Sequence, residues 1–99
     1  MTEEQIQNIL RNVIDPEIGI NIVDLGLIYG IKIEPEEVQI QLTMTTPTCP
    51  LHETIIQNMK SVLLQSFPNL HAVNVELVWE PLWTPEHMSV TAKKQLGWL

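Results

Sequence analysis

"VQIQLTMTTPTCPLHETIIQNMKSVLLQSFPNLHAVNVELVW", residues 38–79, decides the fold. Val38, Ile40, Leu42 and Met44 alternate with Gln39, Gln41 and Thr43, a period of two that predicts a strand with one buried face. The period then changes. Across 50–66, Ile55, Ile56, Met59, Val62 and Leu63 recur at helical spacing, and "FPNLH" at 67–71 stops the pattern. Val73, Val75, Leu77 and Trp79 alternate again and predict another strand, with Trp79 continuing its buried face. A strand, a helix and a strand in succession usually make a right-handed crossover, which leaves the two strands parallel.

Upstream, Leu27, Tyr29, Ile31 and Ile33 share one face of a strand over 27–33, and "EPEE" at 34–37 turns it into the strand at 38, forming a hairpin. Residues 2–14 read as a helix with Ile6, Ile9, Leu10, Val13 and Ile14 on its apolar face, Thr2 and Gln5 forming a capping box. It should stop at Asp15, because Pro16 disfavours helical dihedrals in the residue before it. A last helix covers 89–96, with Ser89 as N-cap, Ala92 and Leu96 along one side and Gly97 at the C-cap.

The order α-β-β-α-β-α predicts an α/β (α+β) fold. Residues 1–99 make a single two-layer domain, a small mixed three-stranded sheet with helices packed on one face. Strand directions send three loops to one sheet edge: "DPEIGINIVDLG" (15–26), "TTPTCP" (45–50) and "EPLWTPEHM" (80–88). Loops that converge on a rigid sheet are where a site is expected.

Composition narrows the function. The chain has 99 residues, 44% of them hydrophobic, a globular composition. Its 5 basic against 12 acidic residues give a net charge of −7, which provides no electrostatic footprint for nucleic acid or an anionic membrane. With one cysteine no intrachain disulfide can form, which fits a reducing compartment. "MTEEQIQNIL" carries no signal-peptide core and no apolar run is long enough to span a bilayer, so the expected location is the cytoplasm.

The lone Cys49 precedes Pro50, and proline is favoured at the first position of a helix, which makes Cys49 the expected N-cap. Unpaired amides and the helix dipole stabilise a thiolate there, so such a cysteine is more acidic, more nucleophilic and a better metal ligand. A free cysteine also serves as a small buried hydrophobe, and position alone leaves both readings open. Asp15 and Glu17 flank Pro16, and Asp24 lies on the same loop. These acids suit metal ligation or general-base work, and equally the stopping of a helix and the capping of a turn. His52, near the start of the second helix, can assist the thiol or join a metal site, or be a partly exposed helix residue; no second histidine has ligand spacing with it. Trp83 either walls the Cys49 pocket or forms a contact surface, and Trp98 covers a core edge or a partner. His71 and His87 read as loop residues with no role. CxxC, a glycine-rich phosphate loop and HExxH are all missing.

"DPEIGINIVDLGLIY", "MTTPTCPL" and "LVWEPLWTPEHMS" together resemble the three blocks of the SufT/PaaD-like family of metal–sulfur cluster assembly factors, over residues 4–97. The resemblance implies an α/β domain and an auxiliary role in iron–sulfur cluster assembly or transfer, with the assembly machinery and client apoproteins as partners. It assigns the reactive thiol to Cys49, framed by Thr48 and Pro50, and the acidic block to Asp15, Pro16 and Glu17. The PaaD-like branch often carries extra cysteines, and this chain has none, which favours the SufT-like branch. Clusters are usually held by four cysteine thiolates and one chain supplies one, so no stably bound cofactor is expected. A transient cluster or iron on Cys49, with Glu17, Asp15 or an external thiol completing the shell and a homodimer sharing it, fits that limit. A thiol-dependent enzyme on a small molecule, and an adaptor in which Cys49 only packs, are the alternatives; an assembly factor rather than an enzyme is the expectation.

The thiol reading predicts that Cys49 reacts with alkylating agents with a midpoint below the roughly 8.5 of a free cysteine. The pH profile of alkylation on the folded protein measures this, and labelling that waits for unfolding contradicts it.

Overall fold

The computed structural model describes residues 2–16, 18–45 and 52–97. Helix α1 (Glu3–Leu10) is followed by strands β1 (Ile28–Ile33) and β2 (Glu37–Leu42), helix α2 (His52–Ser66), strand β3 (Ala72–Leu77) and a short helix α3 (Val90–Gln95). The sheet order is β1-β2-β3, with β1 antiparallel to β2 and β2 parallel to β3. This is the mixed three-stranded α+β arrangement that the periodicities predict. Val38, Ile40 and Leu42 are buried while Gln39 and Gln41 are exposed, so the helices cover one face of the sheet. The core joins Ile6 and Leu10 of α1, Ile55, Met59 and Leu63 of α2, and the inward residues of β2.

The ends obey local chemistry. Thr2 caps α1 through a complete capping box, its hydroxyl accepting from Gln5 N while the Gln5 side chain accepts from Thr2 N, each at 3.1 Å. Ser89 caps α3 by accepting from Ala92 N at 3.1 Å, and Gly97 follows with φ +78°.

Several expectations are corrected. α1 ends at Leu10 and not at Asp15, because Asn12 N and Val13 N donate to the carbonyls three residues back and the chain then doubles over itself. Ile22 N donates to Val13 O and Asp15 N to Ile20 O, both at 3.0 Å, so 13–22 is a tight reversed loop. Ile14, expected on the apolar face of α1, is 46% exposed as a result. β1 carries a bulge: Ile28 pairs with Leu42 but Gly30 pairs with Gln41, which makes Tyr29 the extra residue. The core face of β1 is therefore Ile28, Ile31 and Ile33, and Tyr29 does not share the face of Ile31 and Ile33. β3 stops at Leu77, after which Val78 N donates to Leu42 O and the chain leaves the sheet. Trp79 is consequently 40% exposed instead of buried. Leu96, expected along one side of the last helix with Ala92, is the residue that follows α3 and is 42% exposed, while Ala92 is buried.

Met59 is fully buried between the helices and the sheet. Met59→Ala is expected to cost about 2–5 kcal/mol, the range for deleting a buried long apolar side chain. Urea unfolding measures it, and a loss below about 1 kcal/mol contradicts the packing.

Candidate functional site

Because β1 runs against β2 and β3 runs with it, the start of β1 and the ends of β2 and β3 lie at one edge of the sheet. Two of the three expected loops are tied together there. Asp24 O accepts from Ser89 N at 2.7 Å, and Leu25 O accepts from Trp83 Nε1 at 2.7 Å. Gly26 has φ +78°, and a Cβ on it would lie 2.3 Å from the His87 carbonyl oxygen, so only glycine allows this approach. The third stretch leaves β2 through Thr43, Met44 and Thr45. Cys49 and Thr48 lie outside the described residues, as do Glu17, Pro50 and Trp98.

The described candidates have definite places. Asp15 is 1% exposed inside the 13–22 loop; its carbonyl accepts from Gly19 N at 2.7 Å and its Oδ1 from Ile18 N at 3.4 Å. It organises that loop and does not terminate α1. Asp24 and Asn21 hold one turn reciprocally, Asn21 Nδ2 donating to Asp24 Oδ2 at 2.7 Å and Asp24 N to Asn21 Oδ1 at 2.9 Å. Trp83 packs on the core and spends its N–H on Leu25 O, so it fastens the last loop to the first. His52 opens the described part of α2, half-buried, with Nε2 3.7 Å from Glu53 Oε1. Among the described residues no group of three or more His, Cys, Asp or Glu side chains is placed to hold a metal ion.

One cluster carries no signal in the residue types alone. The bulge brings Tyr29 to the last loop, where its hydroxyl donates to Pro81 O at 2.8 Å and lies 3.2 Å from His87 Nδ1. The two rings meet edge to face at 5.7 Å. The hint in the sequence is Gly30, because an isolated glycine inside a strand pattern marks a bulge or a close backbone approach. Thr43, the first residue after β2, is 1% exposed, and its hydroxyl has no hydrogen-bond partner among the described residues. Burial pushes the Tyr29 phenol above its ordinary value of 10.0, and the neighbouring Thr43 hydroxyl, though outside good hydrogen-bond geometry, opposes the shift.

Fold and loop edge define a class of protein, and comparison with known proteins gives its family. Residues 3–77 match the profile of the iron–sulfur cluster assembly protein family. The chain belongs to that family. It is 38% identical over 99% of its length to the Fe-S protein maturation auxiliary factor of Porphyromonas gingivalis, covering 93% of that protein. It is 43% identical over 86% of its length to the Fe-S protein maturation auxiliary factor SufT of Staphylococcus aureus, covering 97% of it. A crystal structure of a domain of unknown function from Bacillus anthracis superposes with a TM-score of 0.91 at 40% identity, over 96% of this chain and 91% of that one. Among the described residues no helix is long and apolar enough to cross a membrane.

Tyr29 is the sole tyrosine, so phenolate absorbance reports it alone. The expected midpoint in the folded protein lies above 10.0. A raised folded value stabilises below pH 10, where the phenol is protonated in both states, and that stabilisation is lost as pH rises through the folded midpoint. A midpoint at or below that of the urea-unfolded chain contradicts the burial argument.

Proposed function

We propose that this chain is a SufT-like auxiliary factor that assists the maturation of iron–sulfur proteins, handling a cluster or iron in transit between the assembly machinery and client apoproteins in the cytoplasm. One observation carries the reading: relatives named as Fe-S protein maturation auxiliary factors align over nearly their whole length, 93% and 97%. A further relative, an iron-sulfur cluster carrier protein of Synechocystis, is 30% identical over 98% of this chain. The cluster is cargo. A single cysteine per chain supplies one of the four thiolates that usually close a cluster shell, so a second chain sharing the cluster still needs carboxylate or external thiol donors to complete it.

In this reading Cys49 is the ligand or nucleophile, and Thr48 shapes its surroundings. Asp15, Glu17 and Asp24 supply the acidic side, while His52 and Trp83 flank it. The support is the pairing geometry, which brings the loop before β1 to the same sheet edge as the end of β2. Asp15 contributes chiefly by shaping the loop that carries Glu17, since its carboxylate is buried within that loop.

Replacing the chromosomal copy by Cys49→Ser tests the function, with iron–sulfur enzyme activities under iron limitation as the measurement. The expected result is reduced activity at unchanged protein level, with Glu17→Gln giving a smaller loss in the same direction. Protein level is measured alongside, because a substitution in a surface loop usually changes stability by about 0.5 kcal/mol or less and a larger loss would point to folding instead. Unchanged enzyme activities in the Cys49→Ser strain overturn the thiol reading and leave an adaptor role.

A further inference from the structure

Strand β3 forms one edge of the sheet, and its hydrogen bonds fix which backbone groups face outward. Ala72 N donates to Glu36 O at 3.3 Å and Val78 N to Leu42 O at 2.8 Å. In a parallel ladder alternate residues turn to the same neighbour, so Asn74 and Glu76 also bond to β2. Val73, Val75 and Leu77 therefore direct their N–H and C=O groups away from the sheet. Among the described residues no other element bonds to these groups. The pairing with β2 runs without a bulge from Ala72 to Leu77, and the strand holds no proline or lysine. Bulges, prolines and lysines are the usual means of blunting an edge.

The side chains restrict what can pair there. Val73 is buried and Val75 and Leu77 are half-buried against the core, while Asn74 and Glu76 are exposed on the open face. A second copy joined antiparallel at this edge, about a two-fold axis normal to the sheet, keeps both core faces on one side. Outward-facing residues then meet outward-facing residues, and the axis passes near the middle of the strand, through Asn74, Val75 or Glu76. An axis at Glu76 sets that carboxylate against its own copy, a destabilising pair. An axis at Asn74 sets Leu77 against His71, an exposed residue outside the strand. An axis at Val75 pairs Val75 with itself, Val73 with Leu77 and Asn74 with Glu76, so apolar meets apolar and amide meets carboxylate. Asn74 Nδ2 donates one proton to Glu37 Oε2 at 3.2 Å and has a second proton for the carboxylate of the other copy.

We propose that β3 is the contact edge of a weak symmetric dimer, in which two copies of this chain pair antiparallel about Val75 into one continuous sheet. The contact is self-complementary, as a two-fold interface requires, and it closes after two copies. It stands apart from the cluster reading. The ends of β2 and β3 in the two copies lie at opposite ends of the joint sheet, so the pair forms without a shared cluster.

Sedimentation of the Cys49→Ser protein in the presence of a chelator tests this, since neither a disulfide nor a shared metal can then join the chains. The expected result is a reversible monomer–dimer equilibrium in the micromolar to millimolar range, because a contact made by one strand pair is small. Amide hydrogen exchange locates it. The Asn74 and Glu76 amides are expected to exchange slowly at every concentration, and those of Val73, Val75 and Leu77 slowly only where the dimer is populated. Asn74→Glu sets like charges opposite each other at two symmetric places and is expected to weaken the dimer on the order of 10-fold. Asn74→Lys sets opposite charges there and is expected to tighten it by a similar factor. Both substitutions lie on the open face and leave the core intact. A protein that stays monomeric at about 1 mM overturns the proposal. So does a dimer in which the Val73, Val75 and Leu77 amides exchange as fast as in the monomer, or one whose affinity Asn74→Glu and Asn74→Lys do not move in opposite directions. Protection of those amides that appears only when an apoprotein is added also overturns it, and assigns the edge to an extended segment of a client.

Discussion

The arrangement depends on β2 being paired on both sides. Ile40 faces Ile31 across one ladder and Val75 across the other, and Val38 faces Ile33 and Val73 in the same way. This double pairing places the inward side chains against Ile55, Met59 and Leu63 of α2. A slip of one residue on either side would turn these apolar groups to water and Gln39 and Gln41 into the core. Once that register is set, the start of β1 and the ends of β2 and β3 fall at one edge. The loops there are then fastened by a few contacts of high specificity: Trp83 on Leu25, Ser89 on Asp24, and the bare Gly26 against His87.

Much of this is legible in the residues. The period of two in β2 and β3, the helical spacing around Met59, the Thr2–Gln5 box and the Ser89 cap are local signals, and local chemistry decides each of them. The differences share another cause. Ile14 and Trp79 continue the right apolar pattern beyond the point where the element stops, and where they then lie depends on partners distant in sequence: Val13 O pairs with Ile22 N beyond the turn that closes α1, and β3 ends level with Leu42, the last residue of its partner strand β2. Periodicity cannot count such partners. It also puts Tyr29 on the wrong face, because a bulge adds one residue to the phase and only Gly30 hints at it.

The candidate site is legible in a different way. Asp15, Asp24 and Trp83 stand out as residue types suited to chemistry, and each also builds structure: Asp15 organises a loop, Asp24 holds a turn and Trp83 straps two loops together. These structural roles build a rigid edge where the loop before β1 and the loop after β3 meet. His87 shows the converse. As one histidine in a loop it carries no sequence signal, and its interest comes from Tyr29, 58 positions away in the chain.

The bulge has a bearing on solubility as well. Among the described residues β1 is an edge strand, whose outward backbone groups could template another chain. A bulge at Tyr29 interrupts the regular spacing of those groups and increases the local twist, and the exposed Lys32 places a charge farther along the same strand. Such an edge resists the in-register stacking that leads to fibrils. The residue displaced to fasten the last loop therefore also helps keep the molecules apart in a crowded solution.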